Sequence, residues 1–158
     1  MTLDGKIAKT DSHFPDWTSK EDKKIFQEIS KDAGVVIMGD KTFLTFPAPL
    51  NDRLNVVFTL EENPKLIDGV RWVSGDPENV LQELKKQGHK KVILGGGAGI
   101  NTLFLKQKLI DEIFITVEPK VFGAGISLFD GDFDINLKLI DVKKINADSI
   151  VLKYKVLY

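Results

Sequence analysis

Residues 95–99 read Gly-Gly-Gly-Ala-Gly, between the apolar run KKVILGG and the helical pattern INTLFLKQKL. Glycines so placed can take φ values closed to other residues and leave backbone N–H groups unshielded. A helix that starts directly after them favours an anion at its N-terminus. The chemistry in question is phosphate binding, and two nucleotide motifs are the natural comparison. The dinucleotide fingerprint needs G-x-G-x-x-G. Here Gly95-x-Gly97 is followed by Gly99, so the spacing fails, and the run falls in the second half of the chain. The phosphate loop of nucleotide hydrolases ends in Gly-Lys-Ser/Thr, which Gly99-Ile100-Asn101 does not supply. The residues alone leave two alternatives open: a phosphate-binding turn, or a turn that packs a strand against a helix and binds nothing.

The elements that must position this turn are read from periodicity. GVVIMG (34–39), LNVVFTL (54–60) and KKVILGG (90–96) are short apolar runs bounded by turn residues, the pattern of buried parallel strands. GVRWVS and DEIFITVEP read as further strands, and TLDGKIA as a short strand with a turn at Asp4-Gly5. Ser19 opens an amphipathic helix with Asp22 three residues on and Ile25, Phe26 and Ile29 on one face; Gly34 stops it. DPENVLQELKKQG is a helix with an Asp cap, Pro first and Gly after its end. DKTFLTF forms a short helix ended by PAPL. INLKLIDVKKI and SIVLKYKVLY alternate apolar and polar residues, as an antiparallel pair with one solvated face does. The series predicts one α/β domain over residues 1–158. It is a three-layer sandwich with a mostly parallel central sheet, helices on both faces and a C-terminal antiparallel hairpin. Ligands of such sheets bind beyond the carboxyl ends of the strands.

Composition narrows the function. The 158 residues are 42% hydrophobic and 28% charged, and none is cysteine, which excludes thiol catalysis, disulfides and cysteine-ligated metals. A net charge of -1 gives no strong electrostatic case for nucleic acid. No apolar run approaches the ~20 residues that span a bilayer. MTLDGKIAKTDSHF does not read as a signal peptide, so a cytoplasmic protein with a small-molecule partner is expected. His13 and His89 stand at no metal-like spacing, and no metal site is assigned.

GVVIMGDKTF, PLNDRLNVVFTL and VILGGGAGINTLF together resemble the dihydrofolate reductase superfamily in order, spacing and strand context, over nearly the whole chain. In that family a Met-Gly turn before a Thr-bearing helix, and a Gly-Gly pair before a second helix, grip the two halves of NADPH. The resemblance implies that Gly95, Gly96 and Gly97 form the turn beside nicotinamide and pyrophosphate, with a cis peptide at the first Gly-Gly pair. Ala98, Gly99 and Ile100 then start the helix against the diphosphate. Gly39, Lys41 and Thr42 start the other phosphate-binding helix, and Thr59 belongs to the adenosine-ribose side. Asp40 stands where dihydrofolate reductases carry a basic residue for the 2′-phosphate. An acid there repels that group unless Lys41 compensates, so NADPH is the expected cofactor and NADH stays open.

The resemblance extends to WTSKEDKKIF. In dihydrofolate reductases a Trp, an acid and a Phe follow one another at the spacing of Trp17, Asp22 and Phe26. Asp22 and Phe26 share one helix face. A carboxylate beside an aromatic floor suits a flat heterocycle, so Asp22 becomes the catalytic candidate, able to help protonate the reduced bond. Phe26 becomes a substrate contact, and so does Thr116 as the acid's hydrogen-bond partner. The plainer alternative for Asp22 is a first-turn acid favoured by the helix dipole; for Trp17 it is the core, and Glu21 reads as solvated.

MTLDGKIA and LIDEIFITVEPKVFGAGISLF resemble a sister branch more closely: the reductase domain of riboflavin biosynthesis. That domain reduces the ribosyl group of 5-amino-6-(5-phosphoribosylamino)uracil to a ribityl chain. The likeness implies an NADPH-dependent reductase of this type. It brings Asp4, Lys6 and Gly125 near the pocket, with a plain tight turn as the alternative for Asp4-Gly5. Arg53 is the best-placed partner for a substrate phosphate, and Lys9 reads as solvated. Two departures stand out. The branch often carries an acid before its glycine run, where this chain has Leu94 and Gly95. Its members also carry further residues before MTLDGKIA that form a strand inside the sheet, so the expectation is either a start that lies upstream of Met1 or a sheet lacking part of that central strand. The alternatives are a dihydrofolate reductase or a reductase of another small heterocycle, and a non-catalytic nucleotide-binding module of the same fold. The branch tends to dimerise, so a homodimer is expected.

Overall fold

Local signals set where each element starts and stops. In the computed structural model, which describes residues Met1–Tyr158, a turn over Thr2–Gly5 leads into β1 (Lys6–Ala8). α1 (Lys20–Ala33) begins where the Ser19 hydroxyl accepts from the Asp22 N–H and ends where Gly34 turns left-handed at φ 71°. β2 (Val35–Gly39) runs straight into the single turn of α2 (Asp40–Phe43). β3 (Leu54–Phe58) and β4 (Val70–Val73) follow, then α3 (Pro77–Lys86), capped by Asp76 with Pro at its first position. β5 (Ile93–Leu94) passes through the glycines into α4 (Ala98–Lys106). The chain closes with β6 (Glu112–Val117), β7 (Ile126–Ser127), β8 (Asn136–Lys144) and β9 (Ile150–Leu157).

Four strands form a wholly parallel sheet in the order β4-β3-β2-β5, with Ile37 opposite both Val56 and Leu94. Alternation then splits the apolar residues between two faces. Val35, Ile37, Val56 and Phe58 pack on one side with Val80 and Leu84 of α3 and Phe104 of α4. Val36, Met38 and Val57 pack on the other with Phe43 of α2 and Phe26 of α1. These are the expected three layers. Val35, Val36, Ile37 and Met38 are each 0% exposed, as a strand sandwiched between helices must be.

The C-terminal hairpin β8–β9 is antiparallel, and β6 joins its other edge, giving the order β6-β9-β8. β6 belongs to this antiparallel set and pairs with nothing in the parallel sheet. No ladder joins β5 to β6, so the parallel and antiparallel strands form separate sheets. The first residues lie along the end of β6. Thr2 bridges Glu118 in parallel, and the Glu118 N–H donates to the Met1 carbonyl at 2.9 Å. The hairpin departs from the predicted single solvated face: β8 is exposed along its whole length, Leu139 and Val142 each by 50%. It is an edge strand with no helix laid against its apolar side. No helix is long and apolar enough to cross a membrane.

Candidate active site

The two glycine-bearing turns meet at the carboxyl ends of β2 and β5. The Gly95 N–H donates to the Ile37 carbonyl at 2.7 Å, and the Gly39 N–H donates to the Gly96 carbonyl at 2.9 Å. The cis peptide is Gly96–Gly97, one peptide later than the expected first pair, Gly95–Gly96. Gly95 still bonds to β2 as a strand residue, so the reversal of direction comes only after it. A Cβ on Gly97 would stand 3.1 Å from the Thr42 hydroxyl, and one on Gly39 would stand 3.0 Å from the Ile100 side chain. Close approach of the two turns therefore leaves little room for a side chain at either position.

Gly99 is different. It is exposed in the first turn of α4, with nothing within 4 Å of a Cβ placed there. Glycine inside a helix costs about 1 kcal/mol relative to alanine, and no internal contact explains it. Ser19 and Asp76 cap α1 and α3, whereas the N-cap of α4, Gly97, offers no side chain. The first-turn amides of Ala98, Gly99 and Ile100 thus lack both an intrahelical acceptor and a cap. With the positive end of the helix dipole behind them, they suit the diphosphate of a dinucleotide.

Beside this cradle lies a cavity of about 200 Å³ whose walls include Asp22, Phe26, Ile29, Phe114, Thr116 and Leu128. The fold thus brings together Asp22, Phe26 and Thr116. Asp22 is half-buried, and it is the one acidic side chain in the lining. Thr116 is not bonded to it; the Thr116 carbonyl instead accepts from the Met1 amino group at 2.5 Å. The Phe26 ring lies 3.8 Å from where a Gly95 Cβ would stand, so the aromatic floor of the cavity abuts the glycine turn. The Leu128 wall is held by α4: Asn101 donates to the Leu128 carbonyl at 3.1 Å, and the Thr102 hydroxyl accepts from the Asp130 N–H at 2.8 Å.

Glu118 escapes the sequence reading. It is 3% exposed and accepts from the Ser19 N–H at 2.8 Å, the Ser19 hydroxyl at 2.7 Å and the Ser149 hydroxyl at 2.6 Å. Burial pushes its carboxyl up, but the bonds from Ser149 and Ser19 outweigh that and hold it below the usual glutamate value. The Ser19 hydroxyl also caps α1 by accepting from the Asp22 N–H at 3.2 Å. Glu118 therefore ties the end of β6 and the start of β9 to the helix that carries Asp22 and Phe26. The one sequence signal is an acid inside the apolar stretch IFITVEP.

Other residues fall elsewhere. Asp4 is no pocket residue: its exposed carboxylate accepts from the Phe122 N–H and, at 2.7 Å, the Gly123 N–H, pinning that loop. Arg53 lines the wide groove that also holds Asp22, Phe26 and the glycine turn. Its guanidinium donates to the Ser30 hydroxyl and the Asn51 carbonyl. It stands at the amino end of β3, about 20 Å along the strand from Thr59, where the backbone runs toward the cradle and not out of it. Lys6 donates to the Ser127 hydroxyl at 3.0 Å, and Lys9 lies over the Phe122 ring. Gly125 admits the Ala8 carbonyl, which would be 2.5 Å from a Cβ there. Trp17 packs on His13 and Phe122, with its indole N–H unpartnered. Thr59 donates to Asp40 at 2.9 Å, and Lys41 is paired with Asp11 at 2.6 Å. No group of three or more His, Asp or Glu side chains is placed to hold a metal.

Known proteins resemble this chain in sequence and fold. The RibD C-terminal domain family matches residues 1–151. The uncharacterized protein YwjB of Bacillus subtilis (strain 168) is 31% identical, across 82% of this chain and 78% of YwjB. The riboflavin biosynthesis protein RibD of Aquifex aeolicus (strain VF5) is 25% identical, across 82% of this chain and 47% of RibD. Among solved structures, Acinetobacter baumannii RibD (form 1) superposes with a TM-score of 0.86 at 21% identity, across 99% of this chain and 56% of that one. The chain thus spans about half the length of the RibD proteins it matches. It belongs to the RibD C-terminal domain family and has the dihydrofolate reductase-like α/β fold of RibD reductase domains.

Proposed function

We propose that residues 1–158 form a nicotinamide-dependent reductase domain of the riboflavin-biosynthesis type. Its substrate is 5-amino-6-(5-phosphoribosylamino)uracil, and its cofactor NADPH or NADH. The observation that carries this reading is Phe26 against Gly95, which joins an acid-bearing cavity to a turn fit for a diphosphate. Membership of the RibD C-terminal domain family supports it.

Reduction of a ribosylamine to a ribitylamine breaks the C1′–O4′ bond. C1′ gains the hydride that a reduced nicotinamide supplies when bound, and O4′ gains a proton. The amides of Ala98, Gly99 and Ile100 hold the diphosphate. Phe26 offers a flat face to the pyrimidine, and Asp22 accepts from its N–H groups and is the side chain in reach to hold a proton. Ile29, Phe114 and Leu128 keep water from the reacting carbon. A second reading, reduction of dihydrofolate or another small heterocycle, is favoured by Asp22, Phe26 and Thr116 sharing one cavity.

The test follows the fluorescence of the reduced cofactors on titration with purified protein, then their oxidation with each substrate. Turnover of the phosphoribosylaminouracil supports the first reading, and turnover of dihydrofolate the second. No binding of either cofactor at millimolar concentration sinks both. We also propose a homodimer built on the exposed apolar residues of β8, Leu137, Leu139 and Val142, because an uncovered apolar face of this kind fits a second copy. A monomer in sedimentation equilibrium would refute it.

A further inference from the structure

The diphosphate cradle at the start of α4 has the acid-bearing cavity on one side only, next to Phe26 and Gly95. An extended dinucleotide whose reactive ring faces that cavity must carry its other half the opposite way. That path crosses Gly39 and follows the carboxyl ends of β2, β3 and β4, where Asp40, Thr59 and Gly75 lie in sequence order. The adenosine ribose then falls beside Asp40 and Thr59.

The chemistry there is anionic and fixed. One Asp40 oxygen accepts from the Lys41 N–H at 2.6 Å and the other from the Thr59 hydroxyl at 2.9 Å. Thr59 is 7% exposed, its proton is committed to Asp40, and its oxygen accepts from the Glu61 N–H at 3.1 Å. Glu61 and Glu62 follow at the surface. Among residues 39–42, 59–62 and 73–75 the single cation is Lys41, against Asp40, Glu61 and Glu62. Lys41 itself reaches away to Asp11 at 2.6 Å. That pair is exposed and so weakly held. Even swung back, Lys41 stands beside the Asp40 carboxylate.

A ribose 2′-hydroxyl is a donor, and a carboxylate at the end of a parallel strand accepts it. A 2′-phosphate needs a cation instead. It would bring roughly two negative charges to a strand end where the Asp40 carboxylate is already fixed and Lys41 is turned to Asp11. Building on the reductase reading above, we infer that this chain selects dinucleotides with a free 2′-hydroxyl, NADH over NADPH, and that Asp40 is the specificity-determining residue. The residues fit a dinucleotide and do not fit the 2′-phosphate.

The experiment is calorimetric titration of the purified protein with NADH and NADPH. ADP-ribose and its 2′-phosphate are titrated in parallel, so that binding is read without turnover. The expected result is a preference of about tenfold or more for each compound lacking the phosphate. Asp40→Asn, which removes charge but keeps shape, should narrow that ratio, and Asp40→Arg should invert it. Circular dichroism melts establish that each variant is folded, and Asp40→Asn alone suffices if Asp40→Arg is not. Equal or tighter binding of NADPH by the unaltered protein overturns the inference and leaves the reductase reading standing, as does an unchanged ratio in Asp40→Asn. Absence of binding by all four compounds overturns both.

Discussion

Replacing Glu118 with alanine should destabilise the fold by about 3–4 kcal/mol. The estimate starts from the three donors that lose their acceptor: the Ser19 N–H, the Ser19 hydroxyl and the Ser149 hydroxyl. Ser149 is 1% exposed, so its hydroxyl finds no water. A buried donor left unmade costs about 1–3 kcal/mol. Ser19 is only half-buried and recovers part of its loss by hydration. For a chain of this size each kcal/mol lowers the melting temperature by about 2–4 °C, so Glu118→Ala should melt about 6–16 °C lower by circular dichroism. Glu118→Gln retains the shape and should lose less. The pH dependence has a definite sign. Glu118 is held below its ordinary value in the fold. Its stabilisation is therefore complete above the ordinary glutamate pKa, about 4.3, and is lost as pH falls through the lower folded value. Glu118→Gln should show a flatter acid limb than the unaltered protein. A Glu118→Ala melt within about 2 °C of the unaltered protein, or parallel acid limbs, would refute the reasoning.

Gly99→Ala should raise helix stability by up to about 1 kcal/mol, since nothing obstructs the new methyl. It should at the same time weaken dinucleotide binding; a variant that melts higher and binds equally well shows that the start of α4 is not the diphosphate site. Asp22→Asn should lower turnover about 100-fold or more while cofactor affinity holds, so an equal loss of affinity would count against its place in the substrate cavity. Arg53→Ala should cost stability through Ser30 and Asn51 and leave the KM for a phosphorylated substrate unchanged. A raised KM would support a substrate-binding role for Arg53 instead.

Residues whose partners lie close in sequence were legible. Ser19 caps α1 through the amide three residues on, Asp76 caps α3 beside its own proline, and Gly34 ends the helix it follows. The apolar runs of β2 and β3 declare a buried parallel sheet for the same reason: burial on both faces leaves no room for polar residues. The paired glycine turns were legible through resemblance, because either turn alone has a packing explanation. Glu118 was not, since its partners stand 99 and 31 positions away. Asp4 and the hydrogen-bond partners of Arg53 were hidden in a related way. Asp4 and Arg53 are each a charged residue in a turn, and only the fold decides whether such a group faces a pocket, the amides of a distant loop or a serine on the neighbouring helix. The bond from the Gly95 N–H to Ile37 was hidden for the same reason, being a contact with β2 that spacing does not encode.

The interruption between β5 and β6 divides the molecule by resistance to amide hydrogen exchange. β2 and β3 are sealed on both faces, so their amides should exchange only when the whole chain unfolds. The sheet of β6, β8 and β9 contributes a single core residue, Val156 at 5% exposure, and shares no ladder with the parallel sheet. Its amides should exchange through openings that leave β2 and β3 intact. The glycine turn therefore belongs to the slow-exchanging half. Phe114 and Thr116, across the cavity from it, belong to the fast one. A dinucleotide alone should leave the exchange of β6 little changed, whereas a molecule filling the cavity bridges the two halves and should slow β6 toward the rate of β2.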